Sequence, residues 1–204
     1  MKLYLVRHGE SLSSTLADEA LLPRDEANDL TPLGRQEAVA LARFLKSHCS
    51  APVLWSSPIK RARQTAEFIG RDLGLEPCYV EALGEREFGF LAGVTVAVSR
   101  SLQEQDYIAP NECREGAESI SVHRARISSW FEEHVERHQI AEAIVVSHGG
   151  TIEQLHMHLL GSPVSHASSC FTKLGTGRFH LWTRLTALDG RPVWRLDAVD
   201  MAPA

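Results

Sequence analysis

Short apolar runs alternate with amphipathic stretches along most of the chain, the pattern of strands followed by helices. Leu3 to Val6 is apolar throughout and stops at Arg7-His8-Gly9, which predicts a buried parallel strand. Residues 12 to 30 are polar and aperiodic, with Pro23 and Asn28-Asp29, and predict a long loop. Thr31-Pro32 then supplies an N-cap and a proline for the first helical position. Ala38, Leu41 and Leu45 share one face of a helix running to about Lys46. Val53 to Trp55 predicts a second strand. Ser57-Pro58 repeats the helix-start signal ahead of Ile59, Ala62, Ala66, Ile69 and Leu73 at helical spacing.

A third strand is expected near Cys78 to Val80, after which Gly84, Gly89, Gly93, Pro110 and Gly116 interrupt any regular pattern. Residues of about 84–119 therefore read as a lid or substrate-facing excursion above a sheet. Ile120, Arg124, Ile127, Phe131 and Val135 mark a helix whose buried face includes an arginine stem. Ala143 to Val146 is the clearest strand and ends at Ser147-His148-Gly149-Gly150, with a helix opening at Thr151. From Cys170 to Val199 a weak alternation around Gly175-x-Gly177 and Asp189-Gly190 predicts antiparallel strands. The expected architecture is α/β: a three-layer α/β/α sandwich with a mostly parallel central sheet and an antiparallel addition near the C-terminus. Residues 1–204 are read as one domain.

Composition narrows the function classes. With 44% apolar and 23% charged residues, the chain is globular rather than disordered or fibrous. Its 21 Lys and Arg against 26 Asp and Glu leave a net charge of −5, which argues against nucleic acid or an anionic membrane as partner. No apolar run approaches the roughly 18 residues of a membrane span. The N-terminal apolar run meets charge again at Arg7, too soon for a secretory signal, so a soluble cytoplasmic protein is expected. Cys49, Cys78, Cys113 and Cys170 form no Cys-x-x-Cys and read as free thiols. His134 and His138 have the spacing of a metal pair but sit in a Glu- and Arg-rich stretch without a third ligand, the mark of a solvated helix face. No metal and no cofactor is expected.

Two segments share one design. Val6-Arg7-His8-Gly9 and Val146-Ser147-His148-Gly149-Gly150 each place a histidine at the carboxyl end of a strand, the edge where open α/β sheets bind ligands. A helix beginning just after the second would aim free amides at the same place, favouring an anion. In SSPIKRARQTA, Ser56 to Ala66, three cations crowd a helix start. There the macrodipole disfavours each by roughly 0.3–1 kcal/mol, which implies a negative partner. Lys60 reads as a surface cation; Arg61, nearest the capped start, is the one expected to enter a site.

These segments resemble the histidine phosphatases, the phosphoglycerate mutase-like superfamily. LYLVRHGES (Leu3 to Ser11) is similar to the family signature, and the resemblance makes His8 the phosphoryl acceptor with Arg7 beside it. LTPLGRQEA (Leu30 to Ala38) resembles its first-helix motif, and SSPIKRARQTA its second arginine motif, which puts Arg61 at the phosphate. LGEREFGFLAG (Leu83 to Gly93) resembles the segment that supplies the proton donor, here Glu85, and VVSHGGT (Val145 to Thr151) assigns the second histidine to His148. Ser14 stands where the mutases often carry Asn and joins Gly149 as a further phosphate-binding candidate. Gly116-Ala117-Glu118-Ser119 departs from the usual Gly-Gly-Glu-Ser and makes Glu118 either a substrate contact or a helix N-terminal acid. The resemblance covers residues 3 to about 160.

The implied activity is metal-independent hydrolysis of a small phosphorylated metabolite through a phosphohistidine. Phosphate oxygens repel a nucleophile, so planar arginine donors must neutralise them before His8 attacks in line. A mutase that returns the phosphoryl group to its substrate is the near alternative, and a catalytically silent phospholigand-binding module the distant one. A serine hydrolase is excluded by the lack of Gly-x-Ser-x-Gly. Arg86, Phe88, Phe90, Tyr107 and Arg114 are candidate roof contacts, while the substrate itself and the oligomeric state stay open.

Overall fold

A computed structural model of the chain describes residues 1–89, 93–138, 140–163 and 174–203. Phe90, Cys170 and the start of the expected C-terminal strands lie outside the described residues. Six strands form one mixed sheet: β1 (Lys2–Arg7), β2 (Val53–Ser56), β3 (Cys78–Tyr79), β4 (Glu142–Ser147), β5 (Phe179–Thr186) and β6 (Pro192–Met201), in the order β3-β2-β4-β1-β5-β6. The pairs β3–β2, β2–β4 and β4–β1 are parallel, whereas β5 runs antiparallel to β1 and β6 to β5. The expected α/β sandwich with an antiparallel addition is therefore what forms.

Helices α1 (Pro32–His48) and α2 (Lys60–Leu73) cover one face, and α4 (Ile120–Phe131) and α5 (Gly149–Leu159) the other. Successive β1 side chains point to opposite faces. Tyr4 and Val6 pack with Leu41, Leu45, Ala62 and Ile69, while Leu3 and Leu5 pack with Ile127, Phe131, Ile152 and Leu155. A strand covered on both sides has no use for polar alternation, which is why Leu3 to Val6 reads as an unbroken apolar run. Each fully buried Leu or Ile in these two cores contributes about 1.5–3 kcal/mol. Among the described residues no helix is long and apolar enough to cross a membrane.

Local departures from the sequence reading have physical causes. Thr31 caps α1 as expected, its Oγ1 accepting from Gly34 N at 3.1 Å. The Ser57-Pro58 signal does not start α2, which begins at Lys60. Ser57 Oγ accepts from Ile59 N at 3.2 Å and also lies 2.8 Å from His148 Nε2. Helix α5 starts two residues before Thr151, with His148 at the N-cap. The interval read as an irregular excursion contains a helix, α3 (Val96–Ile108), capped by Thr95. Its buried positions are Ser99 and Asp106, so it has no apolar stripe to announce it. Glu118 is a structural acid: both its oxygens accept from Arg126, at 2.8 and 2.9 Å.

Candidate active site

The register Arg7↔Ser147 in the parallel β1–β4 pair sets the ends of the two strands level, so their following residues emerge side by side. His8 N donates to Ser147 O at 3.0 Å, and the His8 and His148 rings lie 5.2 Å apart, edge to face. Both imidazoles are buried. The loop after β1 is pressed against the start of α1. A Cβ on Gly9 would collide with the Gly34 carbonyl and one on Gly34 with the Glu10 carbonyl, so both glycines serve backbone-to-backbone contact.

Hydrogen bonds assign the His8 tautomer. Nδ1 lies 2.7 Å from Gly9 O, and a carbonyl only accepts, so Nδ1 carries the proton. Nε2 is then an unprotonated lone pair, and it accepts from Arg61 Nε at 3.1 Å. Burial, followed by the Arg61 and Arg7 charges, holds the His8 pKa well below its ordinary value. His148 is shifted the same way by the same causes. Ser57 Oγ lies 2.8 Å from His148 Nε2, and when the hydroxyl donates there the ring N–H sits on Nδ1, a buried atom with no partner among the described residues.

Arginine placement follows the sequence expectation and adds partners it did not supply. Arg7 donates through one terminal nitrogen to Leu174 O at 2.6 Å, and its buried Nε is unpartnered among the described residues. Gly149 lies against this guanidinium, with Arg7 Cζ 3.5 Å from where a Cβ would stand. Arg61 is oriented by Asp25, which accepts at 2.5 Å, and by the turn that lets Thr65 Oγ1 accept from Gly9 N at 3.1 Å. Asp25 and Asp29, which pairs with Lys60 at 2.9 Å, are the negative partners that the cation-rich helix start required. Asp25 comes from an aperiodic loop, so only the charge argument pointed to such a group.

Glu85 closes the site on the α5 side. Oε2 accepts from Gly150 N at 3.1 Å, Oε1 accepts from Arg86 N at 3.0 Å, and Thr151 Oγ1 is 3.3 Å from Oε1. A Cβ on Gly150 would stand 2.6 Å from Oε1, so glycine there admits the carboxylate. The buried His123, missed in the sequence, reaches Thr151 Oγ1 through Nε2 at 3.0 Å. Arg7, His8, Ser14, Asp25, Arg61, Glu85 and Gly149 line one cavity of about 450 Å³. Ser14 is exposed at its rim, with Oγ within 3.4 Å of both Ser11 N and Ser11 Oγ. Arg86 and Phe88 also line it, whereas Arg114 is drawn away to Asp106. Among the described residues no group of three His, Cys, Asp or Glu could hold a metal ion. What converges instead is a lone pair, two guanidinium groups, an unpartnered imidazole nitrogen, a helix N-terminus and a carboxyl group.

Residues 3–179 match the family model described as histidine phosphatase superfamily (branch 1). The chain is 29% identical over 168 residues to 5''-phosphoribostamycin phosphatase of Niallia circulans, covering 79% of each protein. It is 31% identical over 173 residues to a 2,3-bisphosphoglycerate-dependent phosphoglycerate mutase of Brucella melitensis biotype 2, covering 78% of this chain and 81% of the mutase. A mycobacterial glucosyl-3-phosphoglycerate phosphatase solved with inorganic phosphate superimposes with a TM-score of 0.78 at 25% identity, covering 99% of this chain and 98% of that one.

Proposed function

The chain belongs to the histidine phosphatase superfamily, and on that premise we propose that it hydrolyses a small phosphomonoester through a phosphohistidine on His8, without a metal. The observation that carries the reading is the His8 tautomer: Nδ1–H fixed on Gly9 O and a bare Nε2 facing Arg61. A phosphoryl group drawn in by Arg7 and Arg61 takes over the Arg61 Nε donor and meets the lone pair it had covered. Nε2 attacks phosphorus while the ester P–O bond breaks, and Glu85 delivers a proton to the departing alkoxide. Positive charge developing on the imidazole is shared with Gly9 O through Nδ1–H. His148 Nδ1–H and the α5 amides stabilise the transferring oxygens. Water then attacks the N–P bond, returning its proton to the Glu85 carboxylate and releasing phosphate and neutral His8.

The reading makes one domain over residues 1–204 the working unit, with residues 84–119 as roof. Cys49, Cys78 and Cys113 are free thiols, which fits a cytoplasmic setting. The similarity to the Brucella mutase supports the second reading, transfer back to another oxygen of the substrate. A single experiment separates the two. Acid quench during turnover of p-nitrophenyl phosphate should trap a base-stable, acid-labile phosphoenzyme that decays with stoichiometric phosphate release. Interconversion of 2- and 3-phosphoglycerate should be slow beside that release; the opposite order establishes the mutase.

A further inference from the structure

Beyond the phosphate site lies a second cavity of about 430 Å³, reached past Arg7, Glu85, Arg86 and Gly150, which line both. Its lining includes Glu153, a carboxylate only 7% exposed and placed three residues after Gly150 on the same face of α5. Gly150 N holds Glu85, so Glu153 stands one helical turn beyond the proton donor, where the alcohol portion of a phosphomonoester would extend. Tyr107 Oη donates to Glu153 Oε2 at 2.6 Å. Among the described residues no donor engages Oε1.

Arg7 lines both cavities and serves the phosphate site, and none of the other nearby arginines bonds Glu153, although the Arg124 charge acts on it. Arg124 donates to Gln154 Oε1 and Ser162 O, both at 2.8 Å. Arg86 donates to Asp106 and Glu118 O and stacks over Phe88 at 4.6 Å. Arg100, 60% exposed, pairs with Asp18. A buried carboxylate without a paired cation is costly, and burial together with the Glu85 charge pushes the Glu153 pKa up. A ligand cation set against Oε1 would remove that cost, and an anionic one would add to it.

We propose that this cavity receives the leaving group and that Glu153 Oε1 binds a protonated amine on it, making phosphomonoesters of amino alcohols or amino sugars the preferred substrate class. The inference rests on the phosphohistidine reading of the adjoining site. Tyr107 holds Oε2 and leaves Oε1 for the ligand, and the Phe88 ring supplies an apolar wall of the same cavity. The ester bond breaks as described above, and the amine takes no part in the chemistry.

The test compares ω-aminoalkyl phosphates with alkyl and ω-carboxyalkyl phosphates of matched lengths, scored by kcat/KM on the full chain. Wild type should favour the amino member over its alkyl counterpart by about tenfold or more at the best length, with the carboxyalkyl member slowest. In Glu153→Gln the amino-to-alkyl ratio should fall toward one, a quantity indifferent to any general loss of activity. The proposal is overturned by a wild type that treats the three series alike or prefers the carboxylates, a result that stands without the variant. It is equally overturned by an unchanged ratio in Glu153→Gln. If p-nitrophenyl phosphate yields no phosphoenzyme either, the failure belongs to the underlying reading; phosphoenzyme formation without amine preference confines it to the subsite.

Discussion

The floor of the pocket and its roof are built on opposite principles. The floor is the ends of β1 and β4, where parallel register sets the His8 and His148 segments side by side and backbone carbonyls fix His8 N and Nδ1. The roof is α3 and the loops around it, tied down by charge: the buried Asp106 accepts from Arg86 at 2.6 Å and from Arg114 at 2.5 Å. A sheet-anchored floor holds reacting atoms within the tolerance that attack on phosphorus demands. A roof held by side-chain ion pairs can be rebuilt without disturbing that geometry. On the proposed reading, attack on phosphorus belongs to the floor, while α3 meets the alcohol through Tyr107, which holds Glu153 of α5.

The largest effect should come from the floor. On the proposed mechanism His8→Ala removes the lone pair that would form the N–P bond, and kcat should fall by at least about 10⁴-fold with no trapped phosphoenzyme. The far-ultraviolet circular dichroism should be that of wild type. Turnover within about tenfold of wild type would place the nucleophile elsewhere and erase the distinction between the regions.

The roof should respond in stability instead. Asp106→Asn leaves two arginines facing a neutral amide, Arg86 among them 6% exposed, and should cost about 3 kcal/mol in urea unfolding. The kcat for p-nitrophenyl phosphate in the folded fraction should stay within about an order of magnitude, since Asp106 bonds Arg86 and Arg114 and none of the floor atoms. A loss matching that of His8→Ala would mean that the roof takes part in the chemistry.

Acid should weaken both regions alike. His123, at the seam between α4 and Thr151, and His180, in β5 beside the floor, each have a pKa lowered to about 4 by burial. The unfolded chain protonates its histidines near the ordinary value of about 6.5. Between these values the unfolded state binds more protons, so stability falls as pH drops through that window and is unaffected above it. From pH 6.5 to pH 5 the loss should be about 1.6 kcal/mol for each of the two. His123→Gln and His180→Gln should each flatten the profile by their own share; a slope unchanged in both variants would refute the shifts.

The same contrast governs what could be read in advance. The floor was legible because each of its elements leaves a local trace: an apolar run stopping at Arg7-His8-Gly9, another stopping at Ser147-His148-Gly149, a cation cluster at a helix start. Helix α3 left none, because it packs through Ser99 and Asp106 and its ion-pair partners Arg86 and Arg114 lie 20 and 8 positions away along the chain. Asp25, Ser57 and His123 were unreadable as site residues for a related reason. Each is defined by a contact made only after the sheet and helices have assembled, at separations of 36, 91 and 28 positions. Gly9 in the same run leaves no local trace of its own neighbour, the backbone of Gly34.

The smallest expected effect concerns metal removal. A phosphomonoester brings about two negative charges to the floor at neutral pH. Arg7 and Arg61 meet it with two guanidinium groups, although Asp25 offsets part of the Arg61 charge. The α5 N-terminus adds a partial positive charge of about half a unit, and the unpartnered Arg7 Nε and His148 Nδ1 provide donors without further rearrangement. The neutralisation that a divalent ion supplies in other phosphoryl-transfer sites is thus covalently attached to the strand ends and helix starts of this one. Dialysis against EDTA should change kcat/KM for p-nitrophenyl phosphate by less than about twofold, and vanadate should inhibit the chelated enzyme as well as the untreated one, because its five-coordinate adduct needs the same lone pair and donors. Loss of activity on chelation, restored by a divalent cation, would show that the arginines do not suffice and that the floor is incomplete as described.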